Sequence, residues 1–271
     1  MPAGEAEISP FDHGITVGDG IFETLISYAA IPFAFTRHYE RLQRSAAAMG
    51  LAVRPPEELR EACLELLKAN NLTETRARVR ITVTGGPGPL GSERGGEPET
   101  TLIAVSKTPV PGESEVVSVV PYTRNESGAL VGLKTTSYGE NVVAYAYAKE
   151  RGSGEAIFAN TRGELCEGTG SNIFIVRAGE LLTPPLAAGC LAGVTRALVL
   201  ELCAREGIAV EERAVPITAL HQSREAFLTG TTREVQPIRS VDGMKLPHAP
   251  GEVTARLRAA FRELAEAKVD P

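Results

Sequence analysis

The sequence predicts a mixed α/β (α+β) protein of two domains, and three observations lead there. First, 271 residues with 43% hydrophobic and 23% charged side chains suit one large or two ordinary globular domains. Second, segments that alternate apolar and polar residues, as strands do, are interleaved with segments of helical apolar spacing. Third, the proline-rich stretch from Lys107 to Gly112 interrupts this pattern. We therefore expect domains at 1–110 and 111–271.

The N-terminal domain is expected to open with a strand and two helices. The segment from Gly20 to Tyr28 is rich in β-branched and aromatic residues, as strands are. Thr36 is the predicted N-cap of a helix that ends at Gly50, and Leu42 and Ala46 lie on its apolar face. The other elements expected in this domain are a helix at 55–70 and strands at 78–84 and 101–106.

The C-terminal domain continues the alternation of strands and helices. The expected strands are 116–120, 155–159, 172–176, 180–183, 210–215 and 225–229, and the expected helices are 140–151, 195–206 and 251–267.

A glycine motif, Gly86-x-Gly88-x-x-Gly91, follows the strand expected at 78–84 and matches the spacing of a dinucleotide-binding fingerprint. Such a fingerprint must open a helix whose amides hold a pyrophosphate. Because prolines occupy positions 87 and 89, that helix cannot form there, and we predict a loop.

Charge and composition argue against several classes of protein. A net charge of −6 without a compensating basic cluster argues against nucleic-acid binding. No apolar run approaches the roughly 20 residues of a membrane helix, and the first residues do not resemble a signal peptide. The four cysteines show neither CxxC pairing nor a histidine at metal-ligand spacing. We therefore expect free thiols, no metal site and a cytoplasmic location.

Lys134 is the leading catalytic candidate. It ends the apolar run Gly128-Ala-Leu-Val-Gly-Leu-Lys134 and precedes a turn of small residues, Thr-Thr-Ser. A lysine in apolar surroundings can lose its proton, and the neutral amine can then bond to an aldehyde. The alternative is a surface lysine whose aliphatic chain packs on apolar neighbours.

Four further segments carry complementary chemistry. Glu167 is a carboxylate at a strand end. The segment 191–196 enters a helix through a glycine and 229–232 ends a strand in hydroxyl residues, so both expose amides that suit a phosphate. Arg41 lies one helical turn after His38. Alone, these features could be a loop acid, a capped helix, a polar turn and a surface ion pair. Together with Lys134 they meet the needs of pyridoxal 5'-phosphate (PLP), which requires an amine, a carboxylate and an anion site.

These motifs also resemble the class IV aminotransferases, the PLP enzymes of fold type IV, over about residues 12–243. Gly18–Glu23 is similar to the family's first strand. The resemblance implies two domains with PLP between them and a homodimer as the typical assembly. It assigns the covalent attachment of PLP to Lys134, the contact with the ring nitrogen to Glu167, and a tyrosine role near Tyr138, where the spacing differs by one residue. The remaining cofactor contacts that it implies are Arg41, Leu191, Val194, Thr195, Gly230 and Thr231.

The resemblance leaves two reactions open. Members include transaminases of branched-chain or D-amino acids and 4-amino-4-deoxychorismate lyase, which forms 4-aminobenzoate and pyruvate for folate synthesis. The strand Arg76–Arg80 and the loop after it resemble the lyases, whereas branched-chain transaminases tend to carry a tyrosine where this chain has Arg78. Paired guanidiniums suit a dicarboxylate substrate. We therefore expect a lyase with Arg78, Arg80 and Thr232 as substrate contacts. The alternatives are an aminotransferase with a 2-keto acid acceptor and a non-catalytic PLP-binding or structural descendant. For the arginines, the alternative is an exposed strand face.

Overall fold

The structure, a computed structural model, describes residues 3–267 and 270–271. The mixed α+β prediction is confirmed, because the chain forms two sheets with helices packed against them. The helices of four or more residues are α1 (His13–Thr16), α2 (Phe35–Met49), α3 (Pro56–Ala69), α4 (Gly139–Glu150), α5 (Val194–Arg205) and α6 (Glu252–Ala267). The strands are β1 (Gly20–Tyr28), β2 (Ile31–Pro32), β3 (Ala77–Thr84), β4 (Thr100–Lys107), β5 (Glu115–Arg124), β6 (Glu155–Asn160), β7 (Leu165–Gly168), β8 (Asn172–Arg177), β9 (Glu180–Thr183), β10 (Val210–Glu212), β11 (Glu225–Gly230), β12 (Glu234–Val241) and β13 (Met244–Lys245). Each predicted helix and strand is present within a few residues of its expected ends, whereas α1, β2, β7 and most of β12 were not predicted.

The chain divides into two compact units. The first contains the chain up to Lys107 together with Leu133–Tyr138 and Asp270, and the second contains the rest. The main division falls close to the boundary predicted at residue 110. It differs from that prediction in one respect, because Lys134 belongs to the first unit rather than to the C-terminal domain.

The reason for this difference is strand pairing. The amide of Phe22 donates to the carbonyl oxygen of Lys134 over 2.9 Å, and the amide of Thr136 donates to Gly20 over 2.8 Å. The residues around Lys134 therefore extend the first sheet along the free side of β1, next to the short β2. Such pairing joins residues more than a hundred positions apart, so the local sequence pattern does not reveal it.

The sheet of the first unit is antiparallel, in the order β2-β1-β3-β4. Alternate residues of β3 are buried and pack with α2 and α3, because successive strand side chains point to opposite faces. The other face of β3 carries Arg78 and Arg80. The largest fully buried side chains of this unit include Ile21, Leu25, Phe35, Leu42 and Leu67.

The N-terminus of α2 is capped differently from the prediction. The N-cap residue is Ala34, in a left-handed conformation, and Thr36 lies inside the first turn. The Thr36 amide and hydroxyl donate to the two carboxylate oxygens of Asp270 over 2.9 and 2.7 Å. A carboxylate near the start of a helix satisfies amides that have no partner within the helix. Asp270 is near the end of the chain, so the expectation from Thr36 alone was wrong.

The sheet of the second unit has nine strands, in the order β10-β9-β8-β11-β12-β5-β6-β7 with β13 beside β12. Its pairs β9–β10, β12–β5 and β5–β6 are parallel, and the others are antiparallel. Phe174 and Phe227 stack at its centre with ring centroids 4.9 Å apart. α5 and α6 pack by β11, and α4 packs on β5 and β6. Among the described residues, no helix has both the length and the apolar character needed to cross a membrane.

Candidate active site

Lys134 lies against Phe22 in the first unit. Its Nζ is 4.3 Å from the centre of the Phe22 ring, and the Arg80 guanidinium carbon is 3.7 Å from the same centre. Tyr138 meets this ring edge-on, with centroids 5.3 Å apart. Cations are attracted to the face of an aromatic ring. The structure thus brings together the predicted reactive amine and one predicted substrate contact.

Arg80 and Arg78 share one face of β3. Arg80 is partly buried, whereas Arg78 is exposed. Burial lowers the pKa of Arg80, and the like charge of Arg78 lowers this pKa further, against the influence of Tyr138. A guanidinium that is partly removed from water gains more from an anionic ligand than a fully solvated one. Arg80 is therefore better placed than Arg78 to bind a carboxylate.

Arg41 is not a surface ion pair. Its Nε and Nη2 donate to the two carboxylate oxygens of Glu23 over 2.7 and 2.8 Å. His38 Nδ1 lies 2.7 Å from the same carboxylate, and all three side chains are buried. Glu23 thereby orients the arginine that was predicted to bind phosphate.

The pKa values in this cluster follow from burial and charge. Burial alone raises the pKa of Glu23, but Arg41 and His38 outweigh burial and hold that pKa well below its usual range. Burial lowers the pKa of His38, the charges of Arg41 and Lys134 lower it further, and Glu23 opposes them. At neutral pH the cluster is therefore an ionised Glu23 paired with charged Arg41 beside a neutral His38.

Glu167 lies on β7 in the second unit, where both of its carboxylate oxygens contact neighbouring groups. Its Oε2 accepts a hydrogen bond of 2.9 Å from the amide of Leu191, a predicted ring contact. Its Oε1 lies 3.3 Å from Nε of Arg124. The carboxylate is mostly buried, with its side chain 12% exposed. A loop acid in solvent would not show this arrangement, so the structure distinguishes Glu167 from that alternative.

Asn172 connects several predicted residues of the second unit. It begins β8 opposite Thr229 of β11, and its Nδ2 donates to the carbonyl oxygen of Leu191 over 2.8 Å. A Cβ added to Gly193 would lie only 2.0 Å from Asn172 Oδ1, so this close approach requires glycine. Asn172 thus fixes the turn that leads into α5.

The predicted phosphate donors surround this turn. Val194 and Thr195 begin the twelve-residue α5. Its N-cap residue, Gly193, has no side chain that could accept a hydrogen bond from the first amides of the helix. Helix amides of this kind favour a phosphate. The Thr229 hydroxyl is buried at the end of β11 and has no hydrogen-bond partner among the described residues. This oxygen and the uncapped amides fit an anion.

The turn after β11 completes this set. Gly230 approaches the carbonyl oxygen of Gly170 so closely that an added Cβ would lie 3.1 Å from it. Thr231 and Thr232 follow Gly230 in the same turn and are partly buried. The predicted cofactor and substrate residues therefore form two sets. Lys134, Arg41, Arg78 and Arg80 belong to the first unit, and the others belong to the second.

Sequence reasoning missed four side chains that support these sets: Glu23, Arg124, Glu155 and Asn172. Glu155 is buried and accepts hydrogen bonds from the Thr169 amide over 3.0 Å and the Ser171 hydroxyl over 2.9 Å. It therefore fixes the turn that follows Glu167. For Arg124 and Glu155 the available signal was weak, because a charged residue at a strand end is usually solvated.

A known protein family matches most of this chain. Residues 20–241 match the profile of the family described as amino-transferase class IV. The chain belongs to the class IV aminotransferase family. A protein of Methanocaldococcus jannaschii, named provisionally as a branched-chain-amino-acid aminotransferase, is 34% identical over 96% of this chain and 92% of its own length. The aminodeoxychorismate lyase of Bacillus subtilis is 28% identical over 97% of this chain and 91% of its own length.

Solved structures of class IV enzymes show the same fold. The branched-chain aminotransferase of Thermoproteus uzoniensis, solved with norvaline, superimposes with a TM-score of 0.91 and 32% identity, over 98% of this chain and 92% of that one. Another branched-chain aminotransferase, solved with pyridoxamine 5'-phosphate, superimposes with a TM-score of 0.90. This agreement confirms the fold-type IV prediction made from the sequence motifs.

Glu23 gives a prediction about stability. Because its pKa is depressed in the folded state, its contribution is fully present above the unfolded pKa of about 4.5. It begins to decline below that pH and is lost as pH falls through the much lower folded pKa. Glu23→Gln breaks a buried pair and should reduce the free energy of unfolding at pH 7 by about 3–5 kcal/mol. Urea denaturation at pH 7 and pH 4 should show the difference from the unchanged protein shrinking at the lower pH.

Glu58→Gln is the matched control, because Glu58 pairs with Arg54 in a solvent-exposed position at 3.5 Å. Exposed pairs contribute little, so its stability should be nearly unchanged at either pH. Equal effects of the two substitutions would contradict the role given to Glu23.

Proposed function

We propose that this class IV protein is a PLP enzyme with 4-amino-4-deoxychorismate lyase activity. The observation that carries the proposal is the placement of Lys134 and Arg80 on one Phe22 ring. It supports a site where a carboxylate-bearing substrate is bound beside the reactive amine. The lyase substrate is a dicarboxylate, and its second carboxylate suits Arg78 on the same face of β3.

The residues fit PLP as a cofactor. Lys134 offers the amine, and Glu167 offers a carboxylate for the ring nitrogen. Arg41, the first amides of α5 and the turn at Gly230–Thr231 would hold the phosphate, and Leu191 would pack on the ring. When bound, PLP supplies an aldehyde and a ring that withdraws electrons from the substrate's amino-bearing carbon.

Within this site Lys134 acts as the base. Its Nζ takes the proton from the substrate carbon that bears the amino group. The negative charge of Glu167 would favour a proton on the ring nitrogen, and Arg80 and Arg78 would hold the carboxylates. In the lyase reaction the neighbouring carbon–oxygen bond then breaks, and the enolpyruvyl group leaves with the bonding electrons and takes up a proton to become pyruvate. The electrons of the broken carbon–hydrogen bond complete the aromatic ring of 4-aminobenzoate.

The second candidate is an aminotransferase for branched-chain or D-amino acids with a 2-keto acid acceptor. It is favoured by the relative named as a branched-chain aminotransferase, which is 34% identical, against 28% for the lyase. Lys134 would take the same proton, and no carbon–oxygen bond of the substrate would break. Lys134 and Glu167 have the same roles in both reactions. The reactions differ in the substrate that the site accepts.

A direct assay separates the two candidates. Enzymatically made 4-amino-4-deoxychorismate should yield 4-aminobenzoate and pyruvate in equal amounts, whereas L-leucine or D-alanine with a 2-keto acid should give little exchange.

Arg80→Ala removes a charge-assisted contact and should raise KM for the dicarboxylate by about tenfold or more.

Arg80→Lys keeps the positive charge and should recover part of this loss. Arg37→Ala, which changes an arginine of α2, is the control and should leave KM unchanged. Rapid keto-acid exchange without 4-aminobenzoate would favour the aminotransferase.

The attachment of PLP gives the next prediction. Borohydride reduction of the yellow holoenzyme should fix the cofactor on the peptide that contains Lys134, because that lysine lies in the predicted motif and against Phe22. Lys134→Ala should retain PLP through phosphate contacts and turn over neither substrate class. Mass spectrometry of the digest identifies the modified peptide. Label on Lys107 or Lys149 would contradict the assignment.

We also infer that the functional molecule is a homodimer, as the family resemblance implies. Val142 and Val143 of α4 are 64% and 54% exposed, which is unusual for apolar β-branched side chains and suggests a covered surface. Val142→Asp/Val143→Asp should therefore shift the protein toward monomer in size-exclusion chromatography with light scattering. Lys149→Asp on the same helix controls for added negative charge and should stay dimeric. A monomeric unchanged protein would refute the inference.

A further inference from the structure

Arg124 crosses one strand to reach Glu167. It ends β5, and the sheet continues in the order β5-β6-β7. Its guanidinium carbon lies 4.2 Å from the centre of the Phe158 ring on β6, and its Nε lies 3.3 Å from Oε1 of Glu167 on β7. Phe158 and Glu167 are register partners, so Phe158 supports the guanidinium next to the carboxylate.

The other nitrogens of Arg124 are held by the start of α4. Nη1 donates to Glu140 over 3.1 Å, and Nη2 donates to Asn141 Oδ1 over 2.8 Å. Asn141 in turn donates to the carbonyl oxygen of Thr169, two residues after Glu167, over 2.6 Å. The guanidinium is therefore fixed independently of Glu167.

Arg124 and Glu167 form a charge pair that is mostly buried from solvent. The two side chains are 15% and 12% exposed. Arg124 Nε is buried and donates no hydrogen bond to any residue that the structure describes. Because the pair is shielded from water, its electrostatic attraction is weakly screened, and loss of Arg124 would remove this attraction from the carboxylate.

This charge affects how strongly Glu167 accepts a proton. A carboxylate next to a cation is a weaker proton acceptor than an isolated buried one. When such a carboxylate shares a proton with a pyridine nitrogen, the proton stays on the nitrogen. Without the cation, a buried carboxylate tends to take the proton itself, and the ring then withdraws electrons less strongly.

We propose that Arg124 is a positioning residue that keeps Glu167 ionised and oriented toward the ring nitrogen of PLP. The proposal rests on the role of Glu167 in the proposed function. Arg124 contacts one carboxylate oxygen of Glu167, and the Leu191 amide donates a hydrogen bond to the other. Together these two contacts fix the direction in which Glu167 points.

The test compares the binding of PLP and of 1-deaza-pyridoxal phosphate, in which a carbon replaces the ring nitrogen, to the apoenzyme. Only PLP can pair with Glu167, so the unchanged enzyme should prefer PLP by about tenfold or more. Glu167→Gln should abolish this preference. Arg124→Met should remove most of it while the affinity for the analogue stays unchanged, and Arg124→Lys, which keeps the charge, should restore part of it.

Glu140→Gln is the matched control, because it removes the exposed carboxylate on the other side of the same guanidinium. It should keep the preference for PLP. Melting curves of each apoenzyme check folding, and Arg124→Gln, which keeps an amide donor for Asn141, replaces the methionine variant if that variant does not fold.

Turnover provides a second measurement. If Arg124 acts through Glu167, the double variant Arg124→Met/Glu167→Gln should be no slower than Glu167→Gln alone. Additive losses, or equal weakening of PLP and analogue by Arg124→Met, would make Arg124 a structural residue and overturn the proposal. If Glu167→Gln itself keeps the preference and the rate, the proposed role of Glu167 fails, which is a different result from failure of Arg124 alone.

Discussion

A carboxylate removed from water must be compensated by a cation or by several hydrogen-bond donors, and this constraint shapes the candidate site. Glu23 is compensated by Arg41 and His38. Glu167 is compensated by Arg124 and the Leu191 amide. The contacts of each carboxylate fix the position of the carboxylate and of the side chain paired with it. The predicted phosphate arginine and the predicted ring carboxylate are therefore oriented by buried charge pairs before any ligand binds, which reduces the ordering that binding requires.

Glu155 applies the same constraint to the backbone. Besides the turn at 169–171, its carboxylate lies 3.4 Å from Nε of Arg233, which follows the turn at Gly230–Thr232. Arg233 also pairs with Glu115 over 2.9 Å and donates to the carbonyl oxygen of Gly154 over 2.7 Å. One buried acid thus links the turn after Glu167 to the turn after β11. Networks of this kind are rigid when every member is satisfied, which suits turns that must present amides and hydroxyls at fixed positions.

The sequence pattern allowed most elements and the main site residues to be predicted, because strand alternation, helical spacing and the order of the motifs are local signals. Long-range partners could not be predicted this way. Asp270 caps α2 from the other end of the chain, and the pairing of Lys134 with Phe22 moved that lysine into the first unit. Arg124 stands in the polar run Tyr-Thr-Arg-Asn-Glu, where a solvated charge is the ordinary interpretation. Only the placement of β6 between β5 and β7 shows its contact with Glu167.

In the proposed function, a face of β3 and not the residues that move the proton would decide between lyase and aminotransferase, since one fold supports both reactions. Arg80 is partly withdrawn from water and stacked on Phe22. If the apolar side chain of a substrate covered Arg80, it would remove the remaining water without supplying an anion. The positive charge of the guanidinium would then be left uncompensated. A carboxylate in the same place supplies the missing charge and forms two parallel hydrogen bonds. The constraint that fixes Glu23 and Glu167 inside the protein therefore also favours, at this face, a substrate that carries a carboxylate away from its amino group.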